Sequence, residues 1–182
     1  WGDCGILKSF RDWAYDRGET IRATTSFLMA DSPTPDGDYI KPQTNPTNTD
    51  CWNGKAYTPL NQLTPGRTKY GTNNNVRIFR YADVLLMNAE AKIKNGKSGD
   101  APFNEVRRRA QMPELTNVTF EQVIDERRME LVCEWGERYN DLVRTGLAKT
   151  ELKGWSEDKA LLPLPFNQYT QIPDLLKEPK DE

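Results

Sequence analysis

Apolar positions recur at helical spacing through the middle of the chain. Ile78, Tyr81, Ala82, Leu85, Ala89 and Ile93 follow i, i+3, i+4, i+7 order, which predicts a helix with one apolar face. Asn95-Gly96 supplies the left-handed backbone that ends it. A second helix is expected to open at Asp100-Ala101-Pro102, with a capping Asp and a Pro in the first turn. Phe103, Val106 and Ala110 form its stripe, and Pro113 closes it. A third opens on the capping box Thr119-Phe120-Glu121-Gln122, with Phe120, Val123, Ile124, Leu131 and Trp135 as its buried stripe. Gly136 permits a bend, and a short helix over 137–143 runs to Gly146.

The flanks read differently. Ile6, Leu7, Phe10, Trp13 and Ala14 predict a short helix ended by Gly18, and 21–29 reads as a short strand or extended segment. Residues 31–76 hold Pro33, Pro35, Pro42, Pro46, Pro59 and Pro65 among turn pairs such as Asp36-Gly37 and Asn53-Gly54. Tyr39, Trp52, Tyr57 and Tyr70 lie in this stretch, so it reads as an ordered loop packed on the body, with a short hairpin. Leu161-Leu162-Pro163-Leu164-Pro165 must be extended, because each proline removes a donor and restricts its predecessor. The expected organisation is a loop-rich segment 1–76 carrying candidate ligand-binding loops, then a helical region 77–182 with an extended Pro-rich tail.

Composition narrows the function. No histidine occurs among the 182 residues, which removes Ser-His and Cys-His catalysis and His-ligated zinc. A net charge of -2 argues against bulk attraction to nucleic acid. Mean hydropathy is -0.80, and no run approaches the ~18 apolar residues of a membrane-spanning helix. Cys133, beside Val132 in a helical pattern, reads as a small core hydrophobe, while Cys4 and Cys51 sit in irregular segments where they can pair. The start at Trp1 without an initiator Met reads as a processed chain or a piece of a longer one.

Few motifs carry chemistry. Gly96-Lys97-Ser98 resembles the end of a phosphate loop, but residue 91 is Ala and a helix precedes it. Glu126, Glu130 and Glu134 share a helix face, interleaved with Arg127, Arg128 and Arg138, which indicates a structural ion network rather than an acid–base pair. One or two of Arg107, Arg108 and Arg109 are expected to pair with those glutamates, and the rest to be solvated. Neither a nucleophile–base pair nor a metal cluster stands out, so no enzyme and no cofactor is expected.

The run Arg80-Tyr81-Ala82-Asp83-Val84-Leu85-Leu86-Met87-Asn88-Ala89-Glu90-Ala91 closely resembles a signature of the SusD/RagB family. So do Asn104-Glu105-Val106-Arg107-Arg108-Arg109-Ala110, the segment from Ile124 to Leu131 continuing through Glu134-Trp135-Gly136-Glu137-Arg138-Tyr139 to Arg144, and the closing Leu162-Pro163-Leu164-Pro165. Arg22-Ala23-Thr24 and Lys69-Tyr70 are compatible with it. The resemblance implies a mainly α fold, a SusD-like α-superhelix with a tetratricopeptide-like helix pair and long irregular loops. It implies a surface-exposed outer-membrane lipoprotein of Bacteroidetes that binds glycans, or in some members peptides, as a lid on a SusC-like TonB-dependent transporter. This chain looks like roughly the C-terminal third of such a protein, and the N-terminal lipid anchor of the family is absent from it.

The expected ligand is therefore an oligosaccharide, with Trp52 and either Tyr39 or Tyr57 as the stacking platform. Trp52 stands between Asp50 and Asn53-Gly54, where a flat ring beside amide and carboxylate groups suits a sugar's apolar face and its hydroxyls. Trp1 or Trp13 is the alternative ring. The competing reading is a protein-interaction module of tetratricopeptide-like type, against which stands the lack of a ~34-residue repeat. The motif charges are expected to be fold determinants: Arg80, Glu90, Arg127 and Glu130 linked across packed helices, with Arg127 and Glu130 buried.

Overall fold

The computed structural model describes residues 5–41, 51–65, 72, 75, 78–135, 137–161 and 166–171. The chain divides into two compact units, Trp1–Arg138 and Tyr139–Glu182. In the first, strand β1 (Gly5–Ile6) leads into helix α1 (Lys8–Asp16), α2 (Ile21–Ser26) and β2 (Phe27–Met29). Strands β3 (Ser32–Pro33) and β4 (Tyr39–Ile40) form an antiparallel hairpin, and β5 (Cys51–Asn53) lies between β1 and β2, antiparallel to both. Helices α3 (Tyr81–Lys94), α4 (Asp100–Arg109) and α5 (Phe120–Glu130) follow, with α3 packed on both α4 and α5. Helix α6 (Glu137–Arg144) crosses the boundary, and α7 (Ala148–Glu151) and α8 (Phe166–Gln171) belong to the second unit, where Leu142 and Ala148 are buried.

Two apolar clusters build the first unit. Ala82, Leu85, Leu86 and Ala89 of α3 meet Phe103 and Val106 of α4 and Val123 of α5. Ile6, Ala14, Ala23, Phe27 and Cys51 gather round Met129, with Phe10 and Trp13 packed against them. Helix α5 thus contributes Val123 to one cluster and Met129 to the other, and sets Glu126 and Glu130 between them.

The punctuation reads largely as expected. Thr119 Oγ1 accepts from the Gln122 amide at 3.3 Å and Gln122 Oε1 from the Thr119 amide at 2.9 Å, completing the capping box. Gly18, Gly96 and Gly146 all hold positive φ where their helices stop. Asp100, however, is the first residue of α4 rather than its cap, and its carboxylate accepts from the amides of Asn117 and Val118 at 3.0 and 2.9 Å.

Other expectations are corrected. Residues 21–26 are helical, and only 27–29 are strand. Thr24 and Thr25 return their hydroxyls to the carbonyls of Thr20 and Ile21, which lets β-branched residues sit in that turn. Ile78 and Tyr81, assigned to the apolar face of the first long helix, are 69% and 68% exposed, because the buried stripe begins at Ala82. Helix α5 ends at Glu130, whose carbonyl accepts from Lys55 Nζ at 2.5 Å and Arg80 Nη2 at 2.8 Å instead of serving a further turn. Cys133 and Trp135 follow with φ of 61° and 26°, and both are exposed rather than core. The Cys4–Cys51 pairing, Trp1, Tyr70 and the Leu162–Pro165 run fall outside the described residues.

Candidate functional site

The site grows from α5. Glu126 is fully buried and accepts from three arginines: Arg17 Nη2 at 2.6 Å, Arg22 Nη1 at 2.6 Å and Arg107 Nη1 at 2.9 Å. One turn on, Glu130 accepts from Arg22 at 3.2 Å, Arg80 at 2.8 Å and Arg109 at 2.6 and 2.7 Å. Past the end of the helix, Glu134 accepts from Lys55 Nζ at 2.6 Å and Arg80 Nε at 2.7 Å. Glu19 holds the other side of Arg22. Arg127, on the opposite side of α5, donates to Asp83 of α3 at 2.6 Å. The expected link between Arg80 and Glu130 is therefore present, and Arg127 is buried and bound to α3. Arg107 and Arg109 take the glutamates, while Arg108 pairs with Glu114 at the surface.

Buried charges are tolerable only when paired, and here each carboxylate is matched. Burial disfavours ionised Glu130, but the Arg80 hydrogen bond and the charges of Arg109, Arg80 and Arg22 outweigh it and hold its pKa below the ordinary value. Burial opposes ionisation of Glu134 too, and bonds from Arg80 and Lys55 again prevail. The Lys55 ammonium is lowered by burial against the pull of Glu134.

This charged layer floors a cleft of about 630 Å³. Its walls come from α2 (Arg22, Thr25, Ser26), the turn after β5 (Asn53 to Thr58), Thr72, Asn75, Arg80, Arg109 and the segment after α5 (Cys133, Glu134, Trp135). Asn53 shapes the turn by accepting from the amides of Lys55 and Ala56 at 2.8 and 3.3 Å. Gly54 is required there, since a Cβ would stand 2.0 Å from the Thr25 carbonyl oxygen. Among the described residues two rings reach the cleft: Trp135, 65% exposed, and Tyr57, whose hydroxyl bonds to Asp38 and Thr34. Loss of solvation and the Asp38 bond push the Tyr57 phenol up.

The four aromatic candidates are dispersed. Tyr57 lines the cleft. Trp52 sits on the middle strand β5, opposite Gly5 and Leu28, and is half-buried. Tyr39 is exposed on β4, with its hydroxyl on Asp31. Trp13 stacks on Phe10 at 5.3 Å, with Arg128 4.4 Å from its ring centre. The structure does not bring these four rings together. Sequence reading passed over Trp135 because it was assigned to a helix, although a Trp directly before Gly136 could have flagged a turn. Lys55 carries no local signal, because Glu134 lies 79 residues away, and Arg22 has only Glu19 nearby while Glu126 lies 104 residues away. Among the described residues no group of three or more Cys, Asp or Glu is placed to hold a metal ion, and no helix is long and apolar enough to cross a membrane.

A model of the SusD family matches residues 6–174. The chain belongs to the SusD family. It is 33% identical over 119 residues to SusD-like protein P38 of Formosa agariphila, covering 56% of this chain and 24% of that protein. It is 36% identical over 81 residues to the starch-binding protein SusD of Bacteroides thetaiotaomicron, covering 44% and 14%. Surface glycan-binding protein A of Bacteroides thetaiotaomicron, solved in complex with laminarihexaose, superposes with a TM-score of 0.74 at 27% identity, over 93% of this chain and 39% of that one. The chain therefore spans a quarter or less of the curated relatives it matches. The mainly α, SusD-like fold stands on the same ground.

Proposed function

We propose that this chain is part of a surface glycan-binding protein that presents oligosaccharide to a SusC-like TonB-dependent transporter at the outer membrane, by binding and not by catalysis. The observation that carries the reading is the agreement in fold with a SusD-family protein solved with laminarihexaose, joined to a cleft that sets Trp135 and Tyr57 beside Asn53, Asn75, Thr58 and Thr72. Flat rings cover the apolar faces of sugars, and the amides and hydroxyls offer both donors and acceptors to sugar hydroxyls. Of the four aromatic residues singled out from the sequence, Tyr57 belongs to this platform, and Trp135 takes the place first proposed for Trp52. The test is calorimetric titration of laminarihexaose into the intact protein and into the Trp135→Ala and Trp52→Ala variants. Losing a central aromatic contact lowers affinity about tenfold or more. Such a loss in Trp135→Ala with none in Trp52→Ala supports the cleft, and the reverse pattern returns the platform to β5.

The interaction-module reading has one observation in its favour. Ile78, Phe79, Tyr81, Val84 and Met87 are all exposed along the start and outer face of α3. Such a stripe suits a protein surface better than a sugar. Absence of any glycan binding, with retained binding of a TonB-dependent transporter, would favour it.

A further inference from the structure

The chain carries a net charge of -2, yet the layer under the cleft is cationic. The connected network contains Arg17, Arg22, Lys55, Arg80, Arg107 and Arg109 against Glu19, Glu126, Glu130 and Glu134, six positive charges to four negative. Glu126 and Glu130 are 0% and 2% exposed, while Glu134 is partly exposed. The charged side chains that line the cleft are Arg22, Lys55, Arg80 and Arg109 against Glu130 and Glu134, so the surplus reaches the opening. Arg109 is its most accessible member, with its side chain 59% exposed, and it reaches both oxygens of Glu130 through Nη2. Among the described residues no partner takes its Nε–H or Nη1–H groups. Lys55 and Arg80 stand beside it, each about a quarter exposed.

We propose that the cleft selects acidic sugars, holding the carboxylate of a uronic acid or the sulfate ester of a sulfated residue on the free N–H donors of the Arg109 guanidinium, with Lys55 and Arg80 adding charge. This rests on the glycan-binding reading above and adds the class of glycan. The Nε–H and Nη1–H groups each offer a charge-assisted bond to an oxygen of a carboxylate or sulfate, stronger than the bond a neutral hydroxyl accepts. Neutral sugar rings still find Trp135 and Tyr57, so acidity governs preference rather than entry.

The experiment titrates the intact protein with three oligosaccharides of matched length: laminarihexaose, an oligogalacturonate and a sulfated galactan oligosaccharide. Wild type is expected to bind at least one acidic ligand about tenfold more tightly than the neutral one, and the preference should shrink as salt rises from ~0.05 to ~0.5 M. Preference for the uronate or for the sulfate alone identifies which anion the site takes. Arg109→Gln should lower the acidic-to-neutral affinity ratio about tenfold, and Arg109→Lys should restore part of it. Thermal melts of each variant check the fold, and Glu130 keeps Arg22 and Arg80 in both variants. Equal binding of all three ligands, unaffected by Arg109→Gln, overturns the acidic preference and leaves the glycan reading intact. Failure of all three to bind wild type overturns both.

Discussion

Replacing Glu126 by Gln is the sharpest probe of the charged layer. The change alters one atom in a fully buried side chain and removes a negative charge that three guanidiniums share. Arg17 and Arg107 both donate to Oε2, and Arg22 donates to Oε1. Whichever way the amide turns, its NH₂ faces at least one arginine N–H, so a charge-assisted bond becomes a donor–donor clash. Losing one such bond costs about 1.5–3 kcal/mol. An uncompensated cation left between two apolar clusters brings the total to about 3–5 kcal/mol, the usual cost of breaking a buried pair. With a urea slope of about 2 kcal/mol/M, the unfolding midpoint should fall by about 2 M, read by circular dichroism at the helix band. The control is Glu114→Gln, which breaks the exposed Arg108–Glu114 pair and should change stability by less than about 1 kcal/mol. If the two variants shift the midpoint equally, Glu126 is hydrated in solution and its three arginines do not form a dry cluster round it.

Two further outcomes follow from the same geometry. Glu130 and Glu134 are held below their ordinary pKa of 4.5 in the folded state, so their contribution to stability is present above that value and is lost as pH falls through the lower folded values. Urea midpoints should therefore drop below ~pH 4.5, less steeply in Glu134→Gln, and an unchanged slope in that variant refutes the assignment. Gly54→Ala should destabilise by about 2 kcal/mol or more, since its methyl meets the Thr25 carbonyl, a backbone group that cannot rotate away. A variant as stable as wild type, measured by the same denaturation, would show that α2 and the turn after β5 do not pack as described.

What was legible in the sequence was what is local. The Thr119–Gln122 box, Gly96 and the Phe103–Val106–Ala110 stripe depend on residues within one or two turns, and each appears where its pattern placed it. Glu126, Glu130 and Glu134 were legible as one structural network from their spacing of four, although Glu134 lies past the end of α5. Arg80, Arg107 and Arg109 were legible as partners, but Arg17 and Arg22 were not, since they bond to Glu126 across more than 100 residues. The end of α5 was misread for the same reason. Nothing between residues 130 and 135 forbids another turn, and what stops the helix is a pair of distant side chains on the Glu130 carbonyl. The cleft inherits this illegibility, as Trp135 reaches it only because the helix has already ended.

The matching of Glu126 by Arg22 also constrains the route by which the chain folds. Helices α3 to α5 can meet through short connections and bring Arg107 to Glu126, but its other two guanidiniums, Arg17 and Arg22, must be brought back across more than 100 residues. Closing so long a loop is slow and entropically unfavourable compared with pairing neighbouring helices. Until it closes, Glu126 has Arg107 alone of its three guanidiniums, and burying α5 on both sides leaves that carboxylate under-compensated away from water. A half-built state with α5 buried on both sides is thereby disfavoured, and the arrival of α1 and α2 becomes the event that allows the interior to expel solvent. A lattice of charges placed in this way acts as a checkpoint in time, admitting the collapsed form only when the far end of the chain is present.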